Sequence, residues 1–252
     1  MLISAYMEAK RMGKKNDFLE DIENELVLDF GTALQAGFSD LHSWLLQFRT
    51  VFLDDEIDAL SVNNVIMRIQ YLLSEDDELP INLVVNSNGG SIEQAIVLAS
   101  FLVHVSRQTT LRTICIGNAD SAAFLILSIG TFGERYVYPN SSALAHGAQG
   151  VASGGMQNFK GTIKPWTAHV DWCEEKFRTL LIDSMARDGG KKISKRRRNQ
   201  LNLWYDEISI EDEYLSSERI IDLGAADCIE IVFPYQLYLN DLGEPDDSTN
   251  CI

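Results

Sequence analysis

INLVVNSNGGSIEQAIVLASFLVHV, residues 81–105, contains an apolar run, a glycine break and a longer pattern of helical spacing. The run INLVVNS predicts a short buried strand that ends at a turn formed by Asn88, Gly89 and Gly90. Ser91, with Gln94 three residues later, fits a capping box at the start of the following helix. This strand-turn-helix unit predicts a layered α/β fold.

The same order of strand and helix recurs on both sides of this unit. Short apolar runs predict strands, and apolar residues at helical spacing predict helices between them. A Pro-Asn pair inside one segment predicts a turn between two short strands. The predicted elements are a strand at 49–53, a helix at 61–76, a strand at 111–117, a helix at 120–130, two strands within 135–147 and a long helix at 166–190.

The chain divides into three predicted regions. Residues 1–48 are expected to form a leader or N-terminal arm with two short helices, at 16–30 and 38–48. Residues 49–239 carry the α/β pattern, and residues 240–252 form a polar C-terminal tail. Two loops are predicted inside the α/β region. One is the glycine-rich stretch at 147–166, and the other is KKISKRRR at 191–198, either a solvated loop or a contact for an acidic partner or neighbouring subunit.

Composition narrows the function classes. The chain has 252 residues and a net charge of −16, which argues against a general nucleic-acid binder. No apolar stretch reaches the length that spans a bilayer, and the N-terminus lacks a signal-peptide pattern, so we expect a cytoplasmic protein that does not bind a membrane. The four cysteines form no CxxC pair, and reduced thiols are expected.

The segment GNADSAAF, residues 117–124, raises the question of a nucleophile, because it places a serine between two apolar runs. A serine hydroxyl needs a base, usually histidine oriented by a carboxylate. Of the four histidines, His146 follows a short strand and precedes a flexible loop, where α/β folds often carry their chemistry. His146 is therefore the candidate base for Ser121.

An oxyanion hole requires two backbone N–H groups directed at the developing negative charge. Gly89 and Gly90 lie where a strand turns into a helix, and they supply one candidate donor. Ala122, after the serine and at a helix N-terminus, supplies the other. A metal site is not expected, because His169 and Cys173 share one helix face but no third ligand has recognisable spacing.

Four segments, taken together, resemble the successive signature blocks of the Clp protease proteolytic subunit (ClpP-like serine peptidase) family. That family typically shows NSPGGS, TICIGQAASMGA, PNSRVMIHQP and DRFMSAEEAxEYGLID in this order. The resemblance covers about residues 49–232. The four segments are NLVVNSNGGSIEQAI at 82–96, TICIGNADSAAFLILSIG at 113–130, ERYVYPNSSALAHG at 134–147 and DEYLSSERIIDLGAAD at 212–227.

The resemblance implies the role of each site residue. Ser121 matches the nucleophile, His146 the general base and Asp212 the carboxylate that orients the base. The residues alone do not select Asp212, since Asp206 and Glu211 are close rivals in sequence. The implied oxyanion-hole donors are Gly90 and Ala122.

The resemblance also implies a crotonase-like (ClpP-like) spiral of repeated β-β-α units with a long handle helix. It further implies peptide and protein substrates, a heptameric homo-oligomeric ring, a separate AAA+ unfoldase for ATP-dependent proteolysis, and no cofactor. Alternatives are a catalytically weak or inactive subunit of a mixed ring, a viral maturation-type protease, and an acyl-CoA enzyme on the same fold.

Departures from the family pattern fall close to the nucleophile. Asn88 replaces proline in the glycine turn, Asp120 replaces the alanine before the serine, and Ala122 replaces the methionine after it. Asp120 is expected either to cap the helix or to stabilise a protonated His146. The family's HQP is HGA here, which is expected to loosen the strand that holds a peptide.

Overall fold

The computed structural model describes residues 38–147, 159–187 and 193–241. The helices are α1 Phe38–Leu46, α2 Ala59–Glu75, α3 Ile92–Gln108, α4 Ala122–Ile129, α5 Phe159–Met185, α6 Lys195–Ile208, α7 Ser217–Asp222 and α8 Pro234–Asp241. The strands are β1 Thr50–Leu53, β2 Ile81–Ser87, β3 Leu111–Ala119, β4 Arg135–Val137, β5 Ser142–Ala145, β6 Glu213–Ser216 and β7 Cys228–Ile229. In this part of the chain, helices and strands alternate except at two places, where β4 is followed by β5 and α5 by α6.

A parallel sheet runs in the order β1-β2-β3-β4-β7. Strand β5 pairs with the end of β3 at Asn118, and β5 and β6 form an antiparallel pair. Parallel neighbours require crossover connections, which helices supply here. The end of β3 therefore lies where the parallel sheet meets the β5–β6 pair.

Helix α4 lies at the centre of the core. All of its residues, 122–129, are buried, and the helix packs against α3, α5 and β3. A helix that is apolar on every side needs protein on every side. The N-terminus of α4 is thus held in place by the core of the molecule.

The strand, turn and helix at 81–105 form as predicted, whereas only half of the predicted capping box forms, because the Ser91 N–H donates to Ile57 O. Strand β2 covers 81–87, and α3 begins at Ile92. The Ser91 hydroxyl accepts a hydrogen bond from the Gln94 N–H at 3.3 Å, which satisfies one of the free N–H groups of the first helical turn. Helix α1 confirms the predicted helix at 38–48, whereas the one predicted at 16–30 lies outside the described residues.

Both predicted loops are partly wrong. Residues 159–166, assigned to the glycine-rich loop, belong to α5, which continues through Pro165. Residues 195–198 of the basic segment form the first turn of α6, where the Ser194 hydroxyl accepts from the Arg197 N–H at 3.1 Å. The buried face of α6 stabilises this helix, since its apolar residues recur at helical spacing: Leu201, Trp204, Tyr205 and Ile208.

The cysteines differ in state. Cys115 and Cys173 are free and buried, as the composition predicts. Burial raises the pKa of the Cys115 thiol to about 11, so this thiol stays protonated and unreactive at neutral pH. Cys228, in contrast, is disulfide-bonded. Among the described residues, no helix is both long and apolar enough to cross a membrane.

Candidate active site

Ser121 has an unusual backbone conformation at the N-terminus of α4. Its φ is +54° and its ψ is −120°, a region that non-glycine residues rarely occupy and that concentrates at functional sites. The Ser121 N–H donates to Leu144 O at 2.7 Å, and the preceding N–H of Asp120 donates to Ser87 O at 2.9 Å. These two bonds hold the strained turn between β5 and β2.

The Ser121 side chain is partly exposed and is not used as a helix cap. Serine at this position normally accepts a hydrogen bond from the first helical turn. No partner for this hydroxyl lies in 38–147, 159–187 or 193–241. The oxygen is therefore available for chemistry at the positive end of a buried helix.

The glycine turn approaches Ser121 so closely that a side chain would not fit. At Gly89 (φ +89°), a Cβ would lie 2.7 Å from Ser121 Cβ and 3.0 Å from Ala122 N. At Gly90 (φ +150°), a Cβ would lie 2.5 Å from Ile57 O. Gly89 therefore allows the turn to approach Ser121, and Gly90 allows it to approach Ile57.

Two backbone N–H groups beside Ser121 are free to bind an anion. The Ile57 N–H donates to Gly89 O, and the Ser91 N–H donates to Ile57 O, each at 2.8 Å. These bonds fix the turn, yet within the described residues neither the Gly90 N–H nor the Ala122 N–H has an acceptor. Two free backbone donors close to a serine hydroxyl have the composition of an oxyanion hole.

His146 lies just beyond the end of β5, two residues after Leu144, whose carbonyl binds the Ser121 backbone. Its Nδ1 atom is 2.6 Å from Gly147 O. Because a carbonyl only accepts, Nδ1 must carry the proton in this contact, which leaves the lone pair on Nε2. This is the tautomer that a serine peptidase needs in its general base.

Asp212 and His146 lie at the same end of the β5–β6 ladder. The last pair of that ladder is Ala145 with Glu213, and His146 and Asp212 are the residues immediately beyond this pair. The Asp212 side chain is exposed. Within the described residues, no hydrogen bond joins His146 to Asp212 or to Ser121. The fold brings the three residues to one end of the β5–β6 pair without bonding them.

The other carboxylates near Asp212 either bind other side chains or lie further from the β5–β6 ladder. Asp206, on α6, accepts from Arg178 Nη1 at 2.6 Å. Glu213 accepts from Trp204 Nε1 at 2.6 Å and from Arg219 Nε at 2.9 Å. Glu211 is exposed and one residue further from the ladder than Asp212. The geometry thus favours Asp212 among the carboxylates of this segment.

A side-chain network, which the sequence reasoning missed, joins the glycine turn to the nucleophile. Asn118 Nδ2 donates to Asn88 Oδ1 at 2.6 Å and to Asp120 Oδ2 at 3.0 Å. Asn88 and Asp120 are two of the departures noted in the sequence, and Asn118 occupies the position of glutamine in TICIGQAASMGA. Within the described residues, the Asp120 side chain therefore makes no hydrogen bond to the first turn of α4 or to His146. The signal in the sequence is that Asn88, Asn118 and Asp120, all polar and all different from the family pattern, lie close to Ser121.

A cavity of about 450 Å³ opens beside the glycine turn. Its walls include three consecutive exposed carboxylates, those of Asp54, Asp55 and Glu56. The remaining wall is formed by the ends of β2 and β3 together with Gly89 and Gly90. The cleft next to the free N–H donors is therefore open to solvent and negatively charged.

The fold places a serine with an unused hydroxyl at the N-terminus of a buried helix, beside free backbone donors. The family model described as Clp protease matches residues 9–197. The chain belongs to the Clp protease family. Its fold is accordingly the ClpP/crotonase-like α/β fold, and its activity class is that of a peptidase.

Relatives of known name agree with this membership. The chain is 28% identical over 191 residues to proteins named ATP-dependent Clp protease proteolytic subunit 2, from Mycobacterium bovis and Mycobacterium tuberculosis. The match covers 76% of this chain and 81% of those relatives. ATP-dependent Clp protease proteolytic subunit 1 from Mycolicibacterium paratuberculosis is also 28% identical, over 76% of this chain and 82% of its own.

Proposed function

We propose that this protein is a Clp-type serine endopeptidase that uses Ser121, His146 and Asp212. Ser121 Oγ attacks the peptide carbonyl carbon while His146 Nε2 takes the hydroxyl proton. The N–H groups of Gly90 and Ala122 bind the oxyanion. The imidazolium then gives its proton to the leaving amine, and water hydrolyses the acyl-enzyme by the same route in reverse.

The observation that carries this proposal is the position of Ser121. A strained turn, two tethering backbone bonds and an unused hydroxyl occur together beside two free N–H donors. Backbone strain of this kind costs on the order of 1–3 kcal/mol, so the surrounding structure must maintain it. A core helix that required only a cap would not need this geometry.

In our proposal, Asp212 forms its hydrogen bond to His146 only on assembly or substrate binding. In the free chain, Gly147 O accepts a hydrogen bond from the Nδ1–H of His146. A triad carboxylate would accept its hydrogen bond from this same N–H group. A neutral carbonyl stabilises imidazolium less than a carboxylate does. Since catalytic hydrogen bonds often tighten only in the complex, Asp212 replaces Gly147 O as the acceptor when the site becomes active.

Assembly into a homo-oligomeric heptameric ring is part of the same proposal. Helix α2 exposes three large apolar side chains, Leu60 (70%), Met67 (58%) and Tyr71 (53%), and exposed apolar patches mark interaction surfaces. Their spacing places them along one side of the helix. We also propose a separate AAA+ unfoldase, supported by the words ATP-dependent in the names of the relatives, and a cytoplasmic location.

Labelling with a fluorophosphonate tests the nucleophile. We expect the full-length protein to gain one adduct per chain by intact mass, and the Ser121→Ala variant to gain none, because only an activated serine reacts with the probe. Ser128, buried within α4, serves as the matched control, and Ser128→Ala should label as the wild type does. The size of the assembly is measured on the same samples.

Two results would contradict the proposal. An adduct that persists in Ser121→Ala would place the reactive serine elsewhere. A folded oligomer that gains no adduct would favour the alternative of an inactive structural subunit. The structure offers one observation in favour of that alternative, because within the described residues no hydrogen bonds join His146, Ser121 and Asp212.

Replacing Asp212 by asparagine tests the orienting carboxylate. We expect Asp212→Asn to lower kcat for a fluorogenic peptide by about 10²- to 10⁴-fold, because an amide can neither stabilise imidazolium nor enforce the required tautomer. Glu211→Gln, an exposed neutralisation at the adjacent position, should change kcat by less than about threefold. If Glu211→Gln instead causes the large loss of kcat and Asp212→Asn the small change, the carboxylate that orients His146 is Glu211.

A further inference from the structure

Three potential metal ligands meet between α3 and α5, on residues that the peptidase proposal does not use. They are the carboxylate of Glu93, the Nε2 atom of His169 and the thiol of Cys173, and their ligand atoms all lie within 4.8 Å of one another. Glu93 Oε1 is 2.6 Å from His169 Nε2, and Cys173 Sγ is 3.7 Å from the same nitrogen.

The sequence shows only two members of this cluster. His169 and Cys173 are four residues apart and lie on one face of α5. Glu93, the third, lies in the first turn of α3, and the packing of α3 against α5 brings it beside the other two. A distant residue of this kind has no recognisable spacing, which is why the sequence predicts no metal site.

The distances suit a tetrahedral ion after a small adjustment. Zinc bonds of about 2.0–2.3 Å to nitrogen, oxygen and sulfur place tetrahedral ligands about 3.3–3.6 Å apart. The 3.7 Å between sulfur and nitrogen nearly matches this range. The 2.6 Å contact is a hydrogen bond from His169 Nε2–H to Glu93. It needs to open by less than about 1 Å when a cation replaces that proton.

The type of ligand atoms selects the metal. Calcium and magnesium prefer sites of oxygen alone, whereas thiolate, imidazole and carboxylate together are typical of zinc. The cluster is also accessible, because the side chains of Glu93 and His169 are 56% and 52% exposed while Cys173 is buried beneath them. An ion can therefore enter from solvent and keep one coordination position for water.

We propose that Glu93, His169 and Cys173 form a binding site for one Zn²⁺ ion that links the first turn of α3 to α5. Glu93 lies three residues after Gly90, whose N–H borders the candidate nucleophile. The ion thus connects the helix that follows the glycine turn to the long helix α5. The site rests on the packing of two helices and does not depend on the peptidase proposal.

The test uses the full-length protein after removal of bound metal by a chelator. Isothermal titration with Zn²⁺ alone is expected to give one ion per chain at micromolar protein. Titration with Co²⁺ is expected to give the thiolate-to-cobalt charge-transfer band and the visible bands of a tetrahedral ion. The Trp172 ring stacks on His169 with a centroid distance of 5.9 Å, so a change in tryptophan emission should accompany binding and be absent in Trp172→Phe.

Matched variants identify the ligands. Glu93→Gln and His169→Gln, both exposed, should weaken Zn²⁺ binding at least about tenfold, and Cys173→Ser should remove the charge-transfer band. Glu175→Gln on α5 and His104→Gln on α3 make the same changes at exposed positions outside the cluster and should bind as the wild type does. Absence of Zn²⁺ binding to the wild type would overturn the proposal. Unchanged affinity in Glu93→Gln and His169→Gln would also overturn it, even if Cys173→Ser does not fold.

Discussion

The His146→Ala variant is expected to lose peptidase activity by about 10⁴-fold or more in kcat/KM, while it stays folded and assembled. Without a base the serine hydroxyl is a weak nucleophile, and the loss of one triad member removes most of the catalysis that the three perform together. The variant should fold, because the His146 side chain is only partly buried and bonds only its neighbour Gly147 within the described residues. The measurement is kcat/KM for a fluorogenic peptide.

The control for this variant is His104→Ala, which removes an exposed imidazole from α3. It should retain kcat/KM within about twofold, since exposed substitutions away from a site have small effects. Activity of His146→Ala within tenfold of the wild type, with Ser121→Ala inactive, would show that another group acts as the base. The rate of fluorophosphonate labelling should fall in parallel, because the same proton must leave Ser121.

Arg135→Met is expected to destabilise the protein by about 3–5 kcal/mol, the cost of removing one partner from a buried ion pair. Arg135 is 1% exposed. Its Nε donates to Asp227 Oδ2 at 2.7 Å, and its Nη1 donates to Gly224 O at 2.9 Å. Methionine fills a similar volume but leaves Asp227 without its guanidinium partner and Gly224 O without this donor. The measurement is the shift in Tm, roughly 6–20 °C downward for a chain of this size.

Two comparisons separate this effect from general damage. Arg198→Met removes an arginine whose side chain is 42% exposed and paired with Asp183, and it should cost less than about 1 kcal/mol. The double variant Arg135→Met with Asp227→Leu should regain only part of the loss, because it removes the unpaired carboxylate but leaves the neighbouring Arg187 without that carboxylate. An Arg135→Met variant as stable as Arg198→Met would contradict the argument.

Burial around Arg135 also explains why Asp227 is needed there. Burial, together with the neighbouring Arg135 guanidinium, lowers the pKa of Arg187 to about 10. Both guanidiniums donate to Ser128 O, at 3.3 Å from Arg135 and 2.6 Å from Arg187. Two cations at the end of α4 thus share one carboxylate, and removal of that carboxylate alone should be at least as costly as removal of Arg135.

Local patterns in the sequence determined the elements that carry the site. The run at 81–87 is apolar and short, glycines follow it, and a serine begins the next helix, so backbone preferences and periodicity are sufficient to predict β2, the turn and α3. The charge of the segment at 191–198 favours a loop, but its residues 195–198 begin α6, whose apolar residues recur at helical spacing. That spacing lies within the sequence, and it would have predicted the helix.

Tertiary structure decided every pairing between distant segments. The positive φ of Ser121, the register that brings His146 and Asp212 to one end of the β5–β6 pair, and the link from Asn118 to Asn88 and Asp120 all depend on how strands meet across the sheet. The approach of Glu93 to His169 depends in the same way on the packing of two helices. Local sequence determines the direction in which a side chain points from its own helix or strand. The residue that this side chain contacts on another element depends on the lowest free energy of the whole packed chain.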